Sequence, residues 1–266
     1  MKKVFFETLV PDELIASVNG RSLVLQPVGS LEWHGPHMGM GMDTSNAMAV
    51  AKKVAEQLNG IVMPPLYIGT ETRRSTEILR KLGFSGDEDI TGMDFPENSI
   101  KSFYWPPEMF EEIVRTQTEF LVRMGFRQIV WINGHGADAQ LEILNRVCKE
   151  YSAVSHRSVT TFMTLSPDCG VGIGHAGLAE TAIFEYTCPE AVEIDKLPPR
   201  SEKLYNTKYA IVDNETFTDG PNDDFSVRFD PRDATPELGK RLVEYSVREC
   251  INNINKDYDR YMQGGD

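Results

Sequence analysis

Short apolar runs alternate along this chain with longer segments in which apolar residues recur at helical spacing. Four runs predict buried strands because they are short and rich in apolar or β-branched residues: residues 22–28, 61–64, 128–132 and 158–164. Amphipathic spacing predicts a helix after every run and a long helix near the end, over about residues 43–58, 107–124, 141–147, 179–186 and 236–254. This alternation predicts an α/β fold with a mainly parallel central sheet.

Start signals strengthen two of the predicted helices. Asp43, Thr44 and Ser45 are N-cap candidates for the helix that follows the first run. Pro106 and Pro107 open the helix that precedes the third run, as proline does in a first helical turn.

Two stretches, residues 65–106 and 195–233, show no sustained periodicity. Connections as long as the first usually have a function of their own. Composition does not shift sharply enough along the chain to mark a boundary between domains. We therefore expect a single domain over residues 1–266, with an extended pocket or lid segment at about 65–106.

The stretch from residue 31 to residue 44 concentrates potential metal ligands. It holds Glu32, His34, His37 and Asp43 within twelve positions. Imidazole nitrogen and carboxylate oxygen are ligands that Zn²⁺, Mn²⁺ and Fe²⁺ take from proteins, and a site with both types can hold a reactive water. Glu32 and His34 are two positions apart, so an extended backbone points both side chains the same way. The stretch indicates a catalytic metal site, with His37 either a ligand or a residue that orients its neighbours.

Further candidate ligands lie where other strands should end. His135 follows the third apolar run, and His175 and Glu180 lie within and after a glycine-rich turn. Taken singly, each candidate has a simpler explanation. His135 and His175 are equally consistent with turn or loop histidines, Glu32 with a surface carboxylate and Asp43 with a helix cap. Ligands bind at the carboxyl ends of parallel strands, so the topology predicts that these side chains meet the Glu32 segment. Their joint placement favours a metal site over the separate explanations.

Composition narrows the class of protein. The formal charge of −13 argues against a nucleic-acid partner, and the four widely spaced cysteines indicate neither a zinc ribbon nor a disulfide framework. No apolar run approaches the ~18 residues that a membrane span needs. An acidic residue at position 7 comes too early for a secretory signal. We expect a cytoplasmic protein that acts on a small molecule and binds neither membrane nor nucleic acid.

Two weaker patterns carry no functional prediction. The glycines at 170, 172 and 174 lack the following Lys and Ser or Thr of a phosphate-binding loop. Tyr104, Trp105 and Trp131 are interpreted as packing residues rather than as a cofactor platform.

Three motifs in chain order resemble the creatininase (creatinine amidohydrolase) superfamily. Residues 27–37 read PVGSLEWHGPH and are followed by Asp43, residues 133–136 read NGHG, and residues 175–177 read HAG before Glu180 and Thr181. The resemblance implies a three-layer αβα sandwich, a homo-oligomer that is often a hexamer, and two divalent ions per chain, of zinc, manganese or iron. It also implies a metal-dependent hydrolase, mostly of C–N bonds in cyclic or small amides.

The resemblance further implies a role for each candidate. Glu32 and His135 would hold one ion, His34 would hold the other, and Asp43 would bridge them. His175 is similar to the residue that moves protons in this superfamily.

Two departures from the family pattern affect the second ion and the pocket. Creatininase has a glutamate two positions after the histidine that matches His135, and this chain has Ala137 there. Glu180, which we favour, or Asp138 is therefore expected to complete the second ion's ligands. The segment similar to the family's Phe-Pro-Gly-Thr motif, residues 95–100, comes only after an extended charged stretch.

The resemblance leaves the substrate open, because the superfamily also includes a formamidopyrimidine deformylase, a peptide-trimming enzyme and a hydrolase that opens a keto-inositol ring. We expect hydrolysis of a creatinine-like amide through a metal-activated water. The alternatives are C–C cleavage of a cyclic ketone and a non-catalytic, metal-dependent binding or regulatory protein.

Overall fold

A parallel β-sheet forms the centre of the computed structural model, which describes residues 3–165, 169–204, 206–220 and 229–263. Its strands are β1 (Leu23–Gly29), β2 (Ile61–Val62), β3 (Leu66–Tyr67), β4 (Gln128–Asn133) and β5 (Ser158–Met163). The order across the sheet is β2-β1-β4-β5, and β3 pairs with the end of β1 beyond β2. Every residue of β1 and β4 is buried, as expected for central strands with both faces covered.

Helices follow the strands along the chain. They are α1 (Pro11–Asn19), α2 (Met42–Leu58), α3 (Thr76–Lys81), α4 (Pro107–Arg123), α5 (Asp138–Ser155), α6 (Leu178–Thr187), α7 (Asn206–Tyr209), α8 (Asn214–Asp219) and α9 (Pro236–Gln263). A short antiparallel pair, β6 (Gly174–His175) and β7 (Val212–Asp213), lies outside the main sheet. None of the helices in the described ranges is both long and apolar enough to cross a bilayer.

Alternate residues of β1 face opposite sides of the sheet. Leu23 and Leu25 belong to an apolar cluster with α2, α6 and α9, whereas Val24 and Val28 belong to a second cluster with α4 and α5. Helices therefore cover both faces of the sheet, which confirms the three-layer αβα sandwich with a mainly parallel central sheet. The four cysteines are free, which agrees with the absence of a predicted disulfide framework.

The structure corrects the predicted start of α2. The N-cap is Gly41, and Asp43 is the second residue of the helix. The Asp43 carboxylate accepts a hydrogen bond from the backbone N–H of Ser30 at 3.3 Å instead of capping its own helix. The N-cap prediction was therefore wrong, because the side chain points toward the end of β1.

The stretches predicted to be irregular contain short elements. The strand predicted at 61–64 is shorter in the structure, where β2 ends at Val62, and β3 begins only after Pro64 and Pro65. β3 and α3 lie within 65–106, while α7, β7 and α8 lie within 195–233. Residues 205 and 221–228 of the second stretch lie outside the described ranges. A third apolar cluster joins the two stretches, formed by Leu79, Leu82, Ile90, Met93, Phe95, Ala210 and Val212.

Two glycines allow the start of α2 to lie directly against the ends of β1 and β4. A Cβ atom at Gly29 would lie 2.6 Å from the backbone nitrogen of Thr44. A Cβ atom at Gly134 would lie 1.9 Å from the backbone oxygen of Asp43. Both distances are shorter than real Cβ contacts, so these positions require glycine if Asp43 is to stay at the end of the sheet.

We predict that Gly134→Ala destabilises the metal-free protein by about 1–3 kcal/mol or more, because the added methyl group forces backbone to move. Gly136→Ala is the matched control, since its Cβ would meet only the Met163 methyl carbon at 3.7 Å. It should stay within about 0.5 kcal/mol of wild type. Chemical denaturation followed by circular dichroism measures both, and equal stability of the two variants would contradict the close approach.

Candidate metal centre

Five of the six candidate site residues lie together where β1 and β4 end. Glu32 and His34 follow β1, Asp43 lies in the first turn of α2, His135 follows β4, and Glu180 lies in the first turn of α6. All five side chains are buried. The topology of the sheet therefore brings together groups that are up to 148 positions apart in the sequence.

Asp43 lies between two histidines and presents one oxygen to each. Its Oδ2 is 3.0 Å from His135 Nδ1, and Glu32 Oε2 lies 3.0 Å from the same nitrogen. Its Oδ1 is 3.2 Å from His34 Nε2, and Glu180 Oε2 lies 3.7 Å from that nitrogen. Two groups of three potential ligands thus share Asp43.

Hydrogen bonds hold the ligand atoms in place. His34 Nδ1 lies 3.1 Å from the carbonyl oxygen of Glu32, to which it donates, and this contact directs Nε2 toward the carboxylates. The Tyr104 hydroxyl donates to Glu32 Oε1, so Oε2 remains directed toward His135. The backbone N–H of Ala176 donates to Glu180 Oε2 at 2.6 Å.

The loop that carries His135 is held by an asparagine. Asn133 Oδ1 accepts the backbone N–H of His135 at 3.1 Å, and Asn133 Nδ2 donates to the His135 carbonyl at 2.8 Å. Gln140 of α5 donates to the same Asn133 oxygen at 2.8 Å. The NGH turn therefore has a defined conformation at the end of β4.

The donor set fits divalent cations. Glu32, Asp43 and Glu180 are buried carboxylates, and among the described residues none of them pairs with a lysine or arginine. Buried carboxylates are costly without a balancing charge. His34 Nε2 is also buried and forms no hydrogen bond. Nitrogen and oxygen ligands of this kind suit zinc, manganese and iron.

His175 and His37 lie beside these ligands in different ways. The His175 ring lies 4.4 Å from the His34 ring between centroids, and its Nε2 donates to the Trp33 carbonyl at 2.6 Å. His175 is also close enough to Glu32 and His34 to be a ligand. His37 Nε2 instead contacts the Thr181 hydroxyl at 2.9 Å, and His37 belongs to none of the ligand groups among the described residues. This position agrees with the interpretation of His37 as a residue that orients its neighbours.

The structure separates the two candidates for the second ion. Glu180 faces His34 and Asp43, whereas Asp138, the first residue of α5, is exposed and belongs to none of the ligand groups found in the described residues. This geometry supports Glu180. Ala137, which stands where creatininase has a glutamate, is buried and lines the cavity beside the site.

Burial and the close carboxylates set the protonation of the metal-free site. Burial alone would lower the pKa of His34, but Asp43, Glu180 and Glu32 outweigh it and raise the pKa to about 10. The pKa of His135 is raised for the same reason, against burial and chiefly by Glu32. Burial raises the pKa of Glu180 to about 7. Burial lowers the pKa of His175 to about 4, so this ring is neutral at pH 7.

A cavity of about 250 Å³ opens beside these residues. This is slightly below the usual range of ~300–1,000 Å³ for ligand pockets, so the cavity suits a small molecule. Glu71, Arg74 and Met93, from the irregular stretch 65–106, line it together with Asn214 and Phe217 of α8. Three residues of the stretch thus form part of the cavity wall.

Sequence analysis missed three polar residues around the site. Tyr104 was interpreted as a packing residue, which was wrong because its hydroxyl donates to Glu32. No spacing marks it, since it lies 72 positions from its partner. Glu71 and Arg74 form an ion pair at 2.8 Å in the cavity wall. Their only signal was their place in a long polar connection.

The family model described as creatinine amidohydrolase (Creatininase) matches residues 8–254. The chain belongs to the creatininase family. It is similar to the creatinine amidohydrolase of Pseudomonas putida, with 26% identity over 97% of this chain and 98% of that protein. It is also similar to the mycofactocin precursor peptide peptidase of Mycolicibacterium smegmatis, with 26% identity over 88% of this chain and 85% of that protein.

Solved structures of the creatininase family share this fold. A creatininase variant of Zn–Zn type superimposes with a TM-score of 0.67 at 22% identity, covering 97% of this chain and 99% of that chain. A form described as creatininase with Mn gives a TM-score of 0.66 at 21% identity over 96% of this chain and 99% of that chain. At this identity the likeness establishes the architecture, and the chemistry has to be argued from the residues of this chain.

We predict that variants of the different candidate ligands lose different numbers of metal ions. Asp43→Ala should lose both ions, because each of its oxygens faces a different histidine, whereas His34→Ala and Glu180→Ala should lose mainly one. Asp138→Ala is the control and should keep both. Elemental analysis of folded, metal-reconstituted protein gives the counts. Two retained ions in Asp43→Ala would refute the bridge, and loss in Asp138→Ala would reverse the choice between the two carboxylates.

We further predict that metal binding releases protons and weakens as the pH falls. His34 and His135 have raised pKa values in the metal-free protein and must lose their protons to bind an ion. Loading at pH 7 should release about two to three protons per chain, because Glu180, with a pKa of about 7, is also partly protonated, and His34→Ala should release about one fewer. Calorimetric titration of Zn²⁺ in two buffers of different ionisation enthalpy measures the number. A binding enthalpy that is independent of the buffer would contradict the protonated histidines.

Proposed function

We propose that this protein is a divalent-metal-dependent hydrolase that cleaves a C–N bond in a small, creatinine-like amide. The observation that carries the proposal is the position of Asp43, which presents one carboxylate oxygen to His135 and Glu32 and the other to His34 and Glu180. A carboxylate that faces two sets of ligands is what a two-metal hydrolase requires. Membership of a family that includes amide and peptide hydrolases agrees with it.

The residues would divide the work between holding ions and moving protons. Glu32 and His135 would hold one ion, His34 and Glu180 the other, and Asp43 both. Bound divalent ions supply an acidified water as nucleophile and polarise the substrate carbonyl. The protein contributes the fixed carboxylates and the cavity that opens beside them.

His175 is the candidate acid–base group. Because its Nε2–H donates to the Trp33 carbonyl, Nδ1 keeps its lone pair and can accept a proton. The hydrogen bond to Trp33 also fixes the plane of the ring, which lies beside His34 and in the wall of the cavity. A proton taken up on Nδ1 would be returned to the leaving nitrogen, without which the amine departs slowly.

The cavity favours a small substrate. Apolar side chains form part of its wall, including Met93, Met163 and Leu165, and the candidate ligands form another part. This arrangement suits a compact ring whose carbonyl faces the ligands. Cleavage of a cyclic ketone would use the same ligands and is distinguished by the substrate.

The test is turnover of a panel of creatinine, formamides, lactams and keto-inositols by protein loaded with Zn²⁺, Mn²⁺ or Fe²⁺, before and after chelation. We predict hydrolysis of an amide, abolished by the chelator and restored by metal. His175→Ala should keep its metal and fold while kcat falls by about 10²–10⁴ and KM changes less.

Each other outcome has a definite meaning. Loss of an ion in His175→Ala would make His175 a ligand, and near-normal turnover would make it a structural residue of the turn. Cleavage of keto-inositols alone would replace the amide with a cyclic ketone. An absence of turnover in fully loaded protein would favour a binding protein over a hydrolase.

A further inference from the structure

Arg74 is an arginine whose side chain faces the cavity beside the candidate metal ligands. Among the described residues that line this cavity it is the only lysine or arginine. Its side chain is only 18% exposed, and its ion pair with Glu71 offsets the cost of burying the charge. No motif of the sequence and no step of the proposed mechanism accounts for it.

The guanidinium is held on one side and open on the other. Arg74 Nε donates to the Gly92 carbonyl at 3.0 Å, and Nη2 donates to Glu71 Oε1 at 2.8 Å and contacts the Met93 sulfur at 4.0 Å. The guanidinium carbon lies 5.6 Å from the centre of the Phe217 ring. Nη1 has no hydrogen-bond partner among the described residues. An arginine fixed in this way presents the N–H groups of Nη1 in a defined direction.

Glu71 positions Arg74 and has little capacity left for a ligand. Its Oε1 accepts from Arg74 and its Oε2 accepts from the backbone N–H of Thr72 at 3.0 Å. Glu71 and Arg74 line the same cavity as the candidate ligands Glu32 and His135. The ion pair therefore belongs to the wall of the site.

With two divalent ions bound, the charge of the cavity would favour an anionic group. Four carboxylates line the cavity, Glu32, Asp43, Glu71 and Glu180, against the single guanidinium of Arg74. These five groups together are negative, but the positive charge of the two ions of the proposed function would exceed their net charge. A carboxylate accepts charge-assisted hydrogen bonds of the kind that Nη1 can still donate next to such a site.

From this arrangement we propose that Arg74 binds a carboxylate of the substrate, so that the substrates are small cyclic amides that carry a carboxylate away from the scissile bond. The inference rests on the proposed function and narrows its substrate class. Creatinine, which has no carboxylate, should then be a poor substrate. Glu71 is a positioning residue, and Arg74 makes the contact that determines specificity.

The experiment compares acid and amide forms of the same ring as ligands of the metal-loaded protein. The probes are pyroglutamate with pyroglutamamide, and hydantoin-5-acetate with its carboxamide, and calorimetry measures binding independently of turnover. Wild type should bind at least one of the acids about 10–100-fold more tightly than its amide, as a charge-assisted hydrogen bond implies. Arg74→Gln should remove this preference and change the binding of the amides less than about threefold.

Arg73→Gln is the matched control. Arg73 is the adjacent arginine, but its side chain is 65% exposed and pairs with Asp89 outside the cavity. It should keep the wild-type preference. If Arg74→Gln fails to fold, Arg74→Lys replaces it. The lysine keeps the positive charge beside Glu71 but lacks the planar guanidinium and its second terminal nitrogen. This variant should lose most of the preference.

Two results would overturn the role of Arg74. Equal binding of acids and amides by wild type would show that the cavity does not select a carboxylate. A preference that persists in Arg74→Gln, or in Arg74→Lys where that variant is used, would show that the carboxylate binds at the metal ions instead. An absence of turnover with every panel substrate would count against the hydrolase alone, since the binding measurement decides the role of Arg74 by itself.

Discussion

The burial of three carboxylates against two histidines is the constraint on which the rest of this structure depends. Glu32, Asp43 and Glu180 lie out of solvent, and within the described ranges the partners that balance them are His34 and His135 rather than lysine or arginine. Like charges this close repel one another strongly in a medium of low dielectric. The fold must hold them together against that repulsion, and it does so with backbone N–H groups, a tyrosine hydroxyl and the first turn of α2.

This constraint explains the backbone around the site. The first turn of α2 can approach β1 and β4 closely because Gly29 and Gly134 have no side chains. The Asn133 side chain braces the turn that carries His135. The strands deliver the ligands to one edge of the sheet, and these local features determine their separation to within an ångström or two. The sandwich is thus a general scaffold, whereas the spacing of the ligands depends on a few residues at strand ends.

Sequence reasoning succeeded where periodicity or topology carries the information. The apolar runs predicted the main strands, and the rule that ligands meet at the carboxyl ends of parallel strands brought His135 and Glu180 to the Glu32 segment. The prediction that Asp43 could cap α2 was wrong. An aspartate near the start of a helix has the same sequence signature whether it caps the helix or faces another element. Tyr104 and Arg74 could not be found at all, since their roles depend on how a long connection folds over the sheet.

The hydrogen bond from Tyr104 to Glu32 joins two parts of the molecule that would otherwise vary independently. Tyr104 lies near the end of the segment that lines the cavity, and Glu32 is a candidate ligand after β1. A rearrangement of the segment that displaces Tyr104 also removes the hydroxyl that orients Glu32. The shape of the cavity and the geometry of the ligands are therefore coupled through this one contact.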